Sequence, residues 1–552
     1  MQHPQGGRLV CIMRWLKDLL PHFGPVWKLS LPVILANSLQ SLTNVTNIFF
    51  AGRLGPVEIA AIGMSNSVNM LLLVAFMSIT AASMALAAQA KGARDPEQLS
   101  GVAHQSISLG VIMWVILGSI GIAFAGPILT FLNGGGDPLA VEMGSVYLQI
   151  MFAGLIFMVL NLTISSLMQG AGDTVTPLWI AVFMNVINVI LNYVFMFGFG
   201  PVPAMGVPGA ALGTVLSRAI AAGIGIWVMY SGRNIVRLGL ASYRPSMTAF
   251  REILAIGIPS GLQGIVRNTS QLFVIRIVTA TAAGTLGASA LAVGLQIESL
   301  AFMPGLAISV AATSVVGQAL GAWQKQDARH RGNAAILLGV LIMSVIAVPL
   351  IIWAPQVMRL FDPTANEVLL SAGASYIRIN GLALPFLAFS MIGNGALRGA
   401  GDTTPGMWGA IMSRWIIVVP ISWFLALRLG WGVEGVWWAL AAGTVFQAVF
   451  VQWNWQSPRW LRINLEKSRL YRLHLSRMPL ERAHHFLDTV KAPLMAHGAS
   501  EKVTARGASY HTAAGTLELT VESGDYRLDD PAGVLAEALA QAEPTTGGPA
   551  AA

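Results

Sequence analysis

The sequence has few charged residues and almost no cysteine. Only 11% of its 552 residues are Asp, Glu, Lys or Arg, whereas a soluble globular domain carries about 25%. A chain of this length with so few charges cannot cover its surface with polar groups in water. Its single cysteine, Cys11, excludes an internal disulfide framework and a multi-cysteine metal site.

Motifs typical of several other protein classes are missing as well. There is no Gly-x-x-x-x-Gly-Lys-Ser/Thr phosphate-binding loop, which argues against direct ATP drive, and we find no hydrolytic or redox motif. The protein is therefore expected not to be an enzyme and to need no cofactor. The N-terminus has no small-residue cleavage pattern after a long apolar core, so no cleavable signal peptide is predicted.

Apolar residues make up 55% of the sequence and recur in long runs. Many runs reach about 20 residues, enough to cross a bilayer as a helix. Because only helices and closed barrels satisfy their backbone groups in lipid, the pattern predicts an all-α polytopic membrane protein. Hydropathy places about twelve spans at residues 29–51, 58–88, 101–125, 141–168, 175–199, 207–230, 250–281, 286–320, 332–354, 368–397, 404–427 and 433–455.

Basic residues are distributed unevenly between alternate connections. The outer connections hold only Arg53, Arg359 and Arg428. This bias predicts a multi-pass cell membrane protein with both termini in the cytoplasm, and it accounts for the net charge of +8 without nucleic acid binding. The basic residues of the inner connections are Lys91, Arg94, Arg233, Arg237, Arg244, Lys325, Arg329 and Arg331.

One polar stretch occurs twice. Gly-Ala-Gly-Asp-Thr stands at residues 170–174 and again at 399–403, each time between two apolar runs. The offset, 402 minus 173, is 229, and other matched pairs give similar offsets: Pro259 follows Pro32 by 227 residues and Gly284 follows Gly52 by 232. Six spans per repeat return the chain to the same side. The halves are therefore expected to be related by a pseudo-two-fold axis along the membrane normal.

The repeat predicts two six-helix lobes that rock against each other in alternating access. Pro32, Pro259 and Pro304 are candidate hinges, as are glycines of span 8, although glycines also simply allow close helix packing. The 457–552 segment is basic at first and acidic later, with one helix expected near 479–490 and disorder at the end. The expected domains are an N-terminal arm (1–28), an N-lobe (29–231), a cytoplasmic linker (232–249), a C-lobe (250–456) and a cytoplasmic tail (457–552).

Several motifs together resemble a known family. Gly-Arg-Leu-Gly at 52–55, Gly-Thr-Leu-Gly at 284–287, Val-Gly-Gln-Ala-Leu-Gly-Ala at 316–322 and both Gly-Ala-Gly-Asp-Thr turns are similar to those of MATE (multidrug and toxic compound extrusion) transporters. The resemblance covers roughly residues 25–456. It implies a secondary antiporter that acts as a single chain and exports small organic compounds, often cations, against entering protons or sodium ions.

An ion-coupled exporter needs an ionisable group at membrane depth, which makes a carboxylate inside a span a candidate site. Only Glu298, in span 8, lies well inside a predicted span, and it is our candidate for ion coupling. The alternative is a structural salt bridge from Glu298 to Arg267 or Arg276 of span 7.

The usual acidic positions of the resembled family are occupied by other residues. Where many members carry an aspartate in span 1, this sequence has Asn47, and the span 5 positions are Asn188 and Asn192. Another branch carries a span 7 glutamate that aligns roughly with Arg267. The asparagine oxygens are suited to bind sodium or to hydrogen-bond a substrate, or these side chains only bridge helices.

The predicted spans are unusually basic. A positively charged cavity would favour anionic substrates, which supports a rival function: flipping of a lipid-linked or anionic precursor, as related flippases of the same superfamily do. Two arginine side chains on the lipid face of span 7 would be costly. At least one of Arg267 and Arg276 is therefore expected to face the cavity or Glu298. The arginines within spans are Arg218, Arg267, Arg276, Arg378 and Arg414.

Overall fold

The computed structural model of the chain describes residues 5–133, 137–232, 234–238, 245–322, 324–362, 366–460 and four strands between residues 500 and 529. It divides into two units, Met1–Gln456 and Ser457–Ala552. The described part of the first unit is almost entirely helical.

Helices α1 to α7 form the N-lobe. Most of these helices begin with a proline or directly after a glycine. Proline loses no helical hydrogen bond at the first position, because the first N–H groups of a helix have no partner within it. Asp137 caps α4 by accepting a hydrogen bond from the Leu139 amide at 2.9 Å. The helices are α1 (Gln5–Gly52), α2 (Pro56–Gly92), α3 (Pro96–Asn133), α4 (Pro138–Ala153), α5 (Leu155–Gly170), α6 (Val175–Phe197) and α7 (Val207–Tyr230).

Helices α8 to α15 form the C-lobe. They are α8 (Met247–Thr279), α9 (Gly284–Gly321), α10 (Lys325–Ile352), α11 (Ala354–Phe361), α12 (Glu367–Gly399), α13 (Thr404–Ile411), α14 (Val419–Trp423) and α15 (Gly432–Gln456). Two π-helical stretches, Met412–Val418 and Phe424–Arg428, interrupt predicted span 11. Pro420 explains the irregularity, because it cannot donate to the carbonyl four residues earlier and a wider turn supplies another donor.

All twelve predicted spans coincide with helical segments, and the all-helical membrane fold is confirmed. Within the described residues, nine helices are long and apolar enough to cross a membrane, and ten if the pair α4–α5 counts as one broken span. That pair is bent by 46° at Gly154, where a side chain would collide with Val215 of α7. The missing side chain at Gly154 therefore lets predicted span 4 pack closely on span 6.

The two lobes meet mainly along α2 and α9. Side chains of α2, including Ile79 and Leu86, also share a buried cluster with Ile253 and Ile256 at the start of α8. Helix α1 also contacts the other lobe, because its His22 lies 3.7 Å from Asp327 of α10. The first helix of each lobe thus packs against the other lobe: α1 against the C-lobe and α8 against the N-lobe.

The second unit contains a sheet that the sequence analysis did not predict. Strands β1 (Ser500–Thr504), β2 (Gly507–Thr512), β3 (Gly515–Glu522) and β4 (Asp525–Asp529) form an antiparallel meander in that order. Ser500 pairs with His511 at one end of β1 and β2. The helix predicted near 479–490 and the disorder predicted at the C-terminus lie outside the described residues.

Candidate transport sites in the two lobes

The C-lobe site is built around the Glu298 carboxylate. Glu298 lies on α9 and is half-buried. The Tyr376 hydroxyl of α12 donates a hydrogen bond to its Oε2 at 2.5 Å, a length typical of a hydrogen bond with an ionised acceptor. Tyr376 is 2% exposed, so this pair joins two helices of the lobe by a contact that water does not replace.

Two further residues fix the position of the Tyr376 ring. Its ring meets Trp437 of α15 edge-on, with centroids 4.9 Å apart, and the Trp437 indole N–H donates to the Ala372 carbonyl at 3.2 Å. Gly294 lies one turn before Glu298, and any side chain there would collide with the tyrosine ring. The absence of a side chain at Gly294 is therefore what allows Tyr376 to reach the carboxylate.

Two arginines act on Glu298 through their charge. Arg267 of α8 and Arg414 of the first π-helical stretch both interact electrostatically with it. Neither forms an ion pair within 4.0 Å in the described part of the chain. The Arg267 guanidinium lies 5.8 Å from the centre of the Phe302 ring and its side chain is exposed. The salt bridge considered from the sequence is not formed.

Arg276 does not join this group. It lies nine residues after Arg267 on the same helix, and nine residues correspond to about two and a half turns, which places the two side chains on opposite faces. In the residues that the structure describes, no hydrogen bond or ion pair joins the Arg276 side chain to Glu298. Only the first of the two arginines thus shares the candidate site.

The charge of the C-lobe group depends on Glu298. Two guanidinium groups and one carboxylate leave an excess of one positive charge, and protonation of the carboxylate raises the excess to two. An organic cation is repelled less by this group while Glu298 is ionised, whereas an anion is attracted more strongly once Glu298 is protonated. The net charge of the group therefore depends on whether Glu298 carries a proton.

The N-lobe site is a ring of three amides. Asn192 of α6 donates to Asn47 Oδ1 at 2.8 Å and to Asn188 Oδ1 at 3.2 Å. Asn47 of α1 closes the ring by donating to Asn188 Oδ1 at 3.3 Å. The ring is uncharged, and it ties predicted span 1 to span 5 as the spacing of four residues between Asn188 and Asn192 predicts.

The amide ring extends to α7 and leaves one acceptor unused. Asn188 donates to the Ser217 hydroxyl at 3.1 Å and to the Thr214 hydroxyl at 3.3 Å. Asn192 Oδ1 is buried without a hydrogen-bond partner in the described structure. A buried acceptor without a partner is unusual. Four more side-chain oxygens belong to the residues of this network, namely those of Asn47, Asn188, Thr214 and Ser217.

The remaining candidates lie where the sequence analysis expects them. Pro32, Pro259 and Pro304 fall inside α1, α8 and α9; their hinge role stays a prediction. The first Gly-Ala-Gly-Asp-Thr turn starts α6, because Asp173 Oδ1 accepts hydrogen bonds from the Val175 and Thr176 amides at 3.2 and 3.0 Å.

Sequence analysis missed the role of Tyr376 and of the hydroxyl groups of Thr214 and Ser217. A tyrosine inside an apolar span needs a partner for its hydroxyl, which was a usable signal, but nothing in the sequence says which helix provides that partner. The sequence counted Arg414 among the arginines within spans, but nothing in it indicated an electrostatic interaction with Glu298.

A comparison with protein families gives one match to both lobes. The model described as MatE matches residues 32–194 and 259–424, which is more than half of the chain. A probable multidrug resistance protein NorM of Thermotoga maritima is 29% identical over 437 residues, covering 78% of this chain and 92% of the relative. The multidrug resistance protein NorM of Burkholderia vietnamiensis is also 29% identical, over 435 residues, covering 77% and 92%.

Solved structures show the same fold. A MOP superfamily transporter from Pyrococcus furiosus, described as having a binding pocket of reverse polarity that suggests a different function, superposes with a TM-score of 0.72 at 25% identity. A multidrug resistance MATE family transporter in an outward-facing conformation gives the same two values. Each match covers 78% of this chain and 95% of the other.

Proposed function

The chain belongs to the MATE family of membrane transporters, and from this we propose that it is a secondary active antiporter that exports small organic compounds by alternating access. It is a transporter rather than an enzyme. Relatives that align over most of their length are named multidrug resistance proteins, which supports small organic substrates. A proton or sodium gradient supplies the energy, both termini lie in the cytoplasm, and one chain forms the working unit within the bilayer.

The observation that carries the proposal is the hydrogen bond between the half-buried Glu298 and the buried Tyr376. Among the carboxylates that lie both in the described helices and in a predicted span, every other one is near a helix end, whereas Glu298 is fourteen residues into α9. A carboxylate at this depth is costly unless it has a function or a partner. In the proposed cycle, a proton entering from outside and an organic cation leaving the cell occupy Glu298 in turn, so that each displaces the other.

The amide ring of Asn47, Asn188 and Asn192 has a different part in the proposal. Amides do not take up a proton near neutral pH, but their oxygens can bind sodium or a substrate hydroxyl. In the resting arrangement these amides bond mainly to one another. Ion binding there therefore requires that Asn192 turn an oxygen inward, which would loosen span 1 from span 5.

Dye transport in everted membrane vesicles tests the proposal; export from the cell corresponds there to uptake into the vesicle lumen, and this uptake is what efflux means below. We expect an imposed proton or sodium gradient to drive efflux of a cationic dye such as ethidium. Proton-driven efflux should fall by tenfold or more in Glu298→Gln, because the amide keeps the shape of the side chain without taking up a proton. Sodium-driven efflux should instead depend on Asn47. Transport that ignores both gradients would contradict antiport.

A second candidate function has its own support in the arginines. Arg267 and Arg414 give the C-lobe group an excess of positive charge, which suits an organic anion or an anionic lipid-linked precursor better than a cation. In that case the protein is a flippase or anion exporter. The two functions differ in the effect of pH, because low pH weakens the binding of a cation at Glu298 and strengthens the binding of an anion.

A further inference from the structure

Two glutamines make equivalent contacts between the lobes at one end of the bundle. Gln89 of α2 donates its side-chain N–H to the Gly399 carbonyl of α12 at 2.8 Å. Gln318 of α9 donates in the same way to the Gly170 carbonyl of α5 at 3.0 Å. The differences 318 minus 89 and 399 minus 170 are both 229. Each lobe therefore gives the other the same hydrogen bond.

The acceptors are the carbonyls at the ends of two helices. The last carbonyls of a helix have no partner within it, and Gly170 and Gly399 end α5 and α12. The Gly170 carbonyl also accepts a hydrogen bond from the Ser314 hydroxyl at 3.0 Å. If the lobes part here, these buried carbonyls lose their donors until water enters, so opening and hydration of this end are linked.

Glycines make the contact close enough to form. A side chain at Gly92 would collide with the Gln318 backbone carbonyl, and one at Gly321 with the Gln89 carbonyl. Gly172, with a φ of +90°, leaves room for the amide of Gln318, whose Nε2 would lie 2.9 Å from a Cβ there. The repeated Gly-Ala-Gly-Asp-Thr turns thus provide the surface against which the opposite lobe's glutamine docks.

We propose that Gln89 and Gln318, bound to Gly399 and Gly170, form a reciprocal clamp that closes the side of the protein carrying its Lys- and Arg-rich loops, and that transport requires this clamp to open. The clamp rests on the alternating access of the proposed function. It gives the two sequence repeats a mechanical role that substrate or ion binding does not explain. Since the two hydrogen bonds are equivalent, both must break for this side of the protein to open.

Cross-linking between the lobes measures how often the clamp is closed. Ala93 and Ala322 are exposed, follow the two glutamine helices and also differ by 229. The Ala93 amide nitrogen would lie 3.0 Å from a Cβ at Gly321. In a Cys11→Ser background, Ala93→Cys with Ala322→Cys is expected to form a disulfide rapidly on mild oxidation. The cross-linked protein should not transport, and a reductant should restore its activity.

Removal of the donors should open the clamp. Gln89→Met and Gln318→Met keep the length of each side chain but cannot donate, and together they should slow cross-linking about tenfold, with each single change giving part of the effect. Gln263→Met is the matched control, because Gln263 donates to the Gly406 carbonyl at 3.2 Å within one lobe. That variant should cross-link at the parent rate.

The outcomes separate the clamp from the proposed function. An unchanged cross-linking rate in the double variant, with normal thermal stability, would overturn the clamp even if gradient-driven efflux is observed. If cross-linking is slowed in the double variant but the parent protein shows no gradient-driven efflux, the clamp is supported and antiport is overturned. Slowing by Gln263→Met to the same extent would also contradict the clamp, because it would show a general loss of packing.

Discussion

The Glu298 carboxylate has three neighbours that act on it in different ways. Tyr376 donates a hydrogen bond at 2.5 Å, while Arg267 and Arg414 act through charge without an ion pair. The tyrosine fixes where the carboxylate lies, and the arginines oppose the approach of a cation. Loss of the tyrosine hydroxyl should therefore change how the site responds to protons, and loss of an arginine should change which substrates it accepts.

Tyr376→Phe should change the pH profile of efflux. Without the hydroxyl, Glu298 loses the hydrogen bond that holds its Oε2 in place, so the competition between a proton and a cation for this carboxylate should change. The measurement is ethidium efflux in the vesicle assay at several pH values. Tyr193→Phe in the N-lobe is the control, with an unchanged profile. A Tyr376→Phe profile equal to that of the parent would remove the tyrosine from the coupling site.

Arg267→Gln should shift preference from anionic toward cationic dyes. Removing one positive charge near Glu298 strengthens the binding of a cation and weakens that of an anion. The ratio of the two affinities should change by about tenfold. Arg276→Gln removes an equal charge from the opposite face of the same helix and serves as the control. The measurement is the ratio of the dissociation constants of a cationic and an anionic dye, determined for each purified variant. Equal ratios in both variants would mean that Arg267 has no role in specificity.

The sequence predicted part of this chemistry. Glu298, Asn47, Asn188 and Asn192 were recognisable because polar groups are rare and costly inside apolar spans. The division into two separate groups, one in each lobe, was not recognisable. It depends on helix tilt and rotation, which follow from packing between helices distant in sequence, as in the contact of Tyr376 with Glu298 across 78 positions.

At the scale of helices, small residues decide which elements approach each other. Gly294 makes room for Tyr376, Gly154 for Val215, and Gly92 and Gly321 for backbone carbonyls of the other lobe. Hydropathy predicted most helix ends to within eight residues, but α1 begins at Gln5, 24 residues before predicted span 1. It did not predict the bend at Gly154 or the π-helical stretches of span 11, because both arise from local hydrogen bonding and neighbouring side chains rather than from apolar content.

Gly294→Ala should destabilise the protein and disturb the site. The new methyl group collides with the Tyr376 ring, and overpacking of this kind costs about 1–3 kcal/mol. We expect a lower Tm of purified protein together with weaker proton-driven efflux. Gly223→Ala on α7, where no atom lies within 4 Å of the new methyl group, should leave the Tm unchanged or slightly higher. A Gly294→Ala Tm equal to the parent value would show that the ring moves without cost.

At the scale of the whole molecule, the lobes are alike in their frame and different in their chemistry. The repeat produces two matching sets of helices and the reciprocal clamp. Substitution has left a neutral amide ring in the N-lobe and a charged group in the C-lobe. Under the proposed function, proton coupling therefore belongs to the C-lobe, and motion of the C-lobe against the N-lobe carries its effect to the proposed clamp. The repeat was visible in the sequence, but the hydrogen bonds between its halves required the structure.

Proton release on substrate binding tests most directly the claim that a proton and an organic cation compete for Glu298. Purified protein in a weakly buffered solution is titrated with ethidium while the pH is recorded. The competition predicts that binding releases protons, approaching one per bound dye as the starting pH is lowered, and that Glu298→Gln releases none. Equal release by the Glu298→Gln variant, or proton uptake by the parent protein, would contradict it.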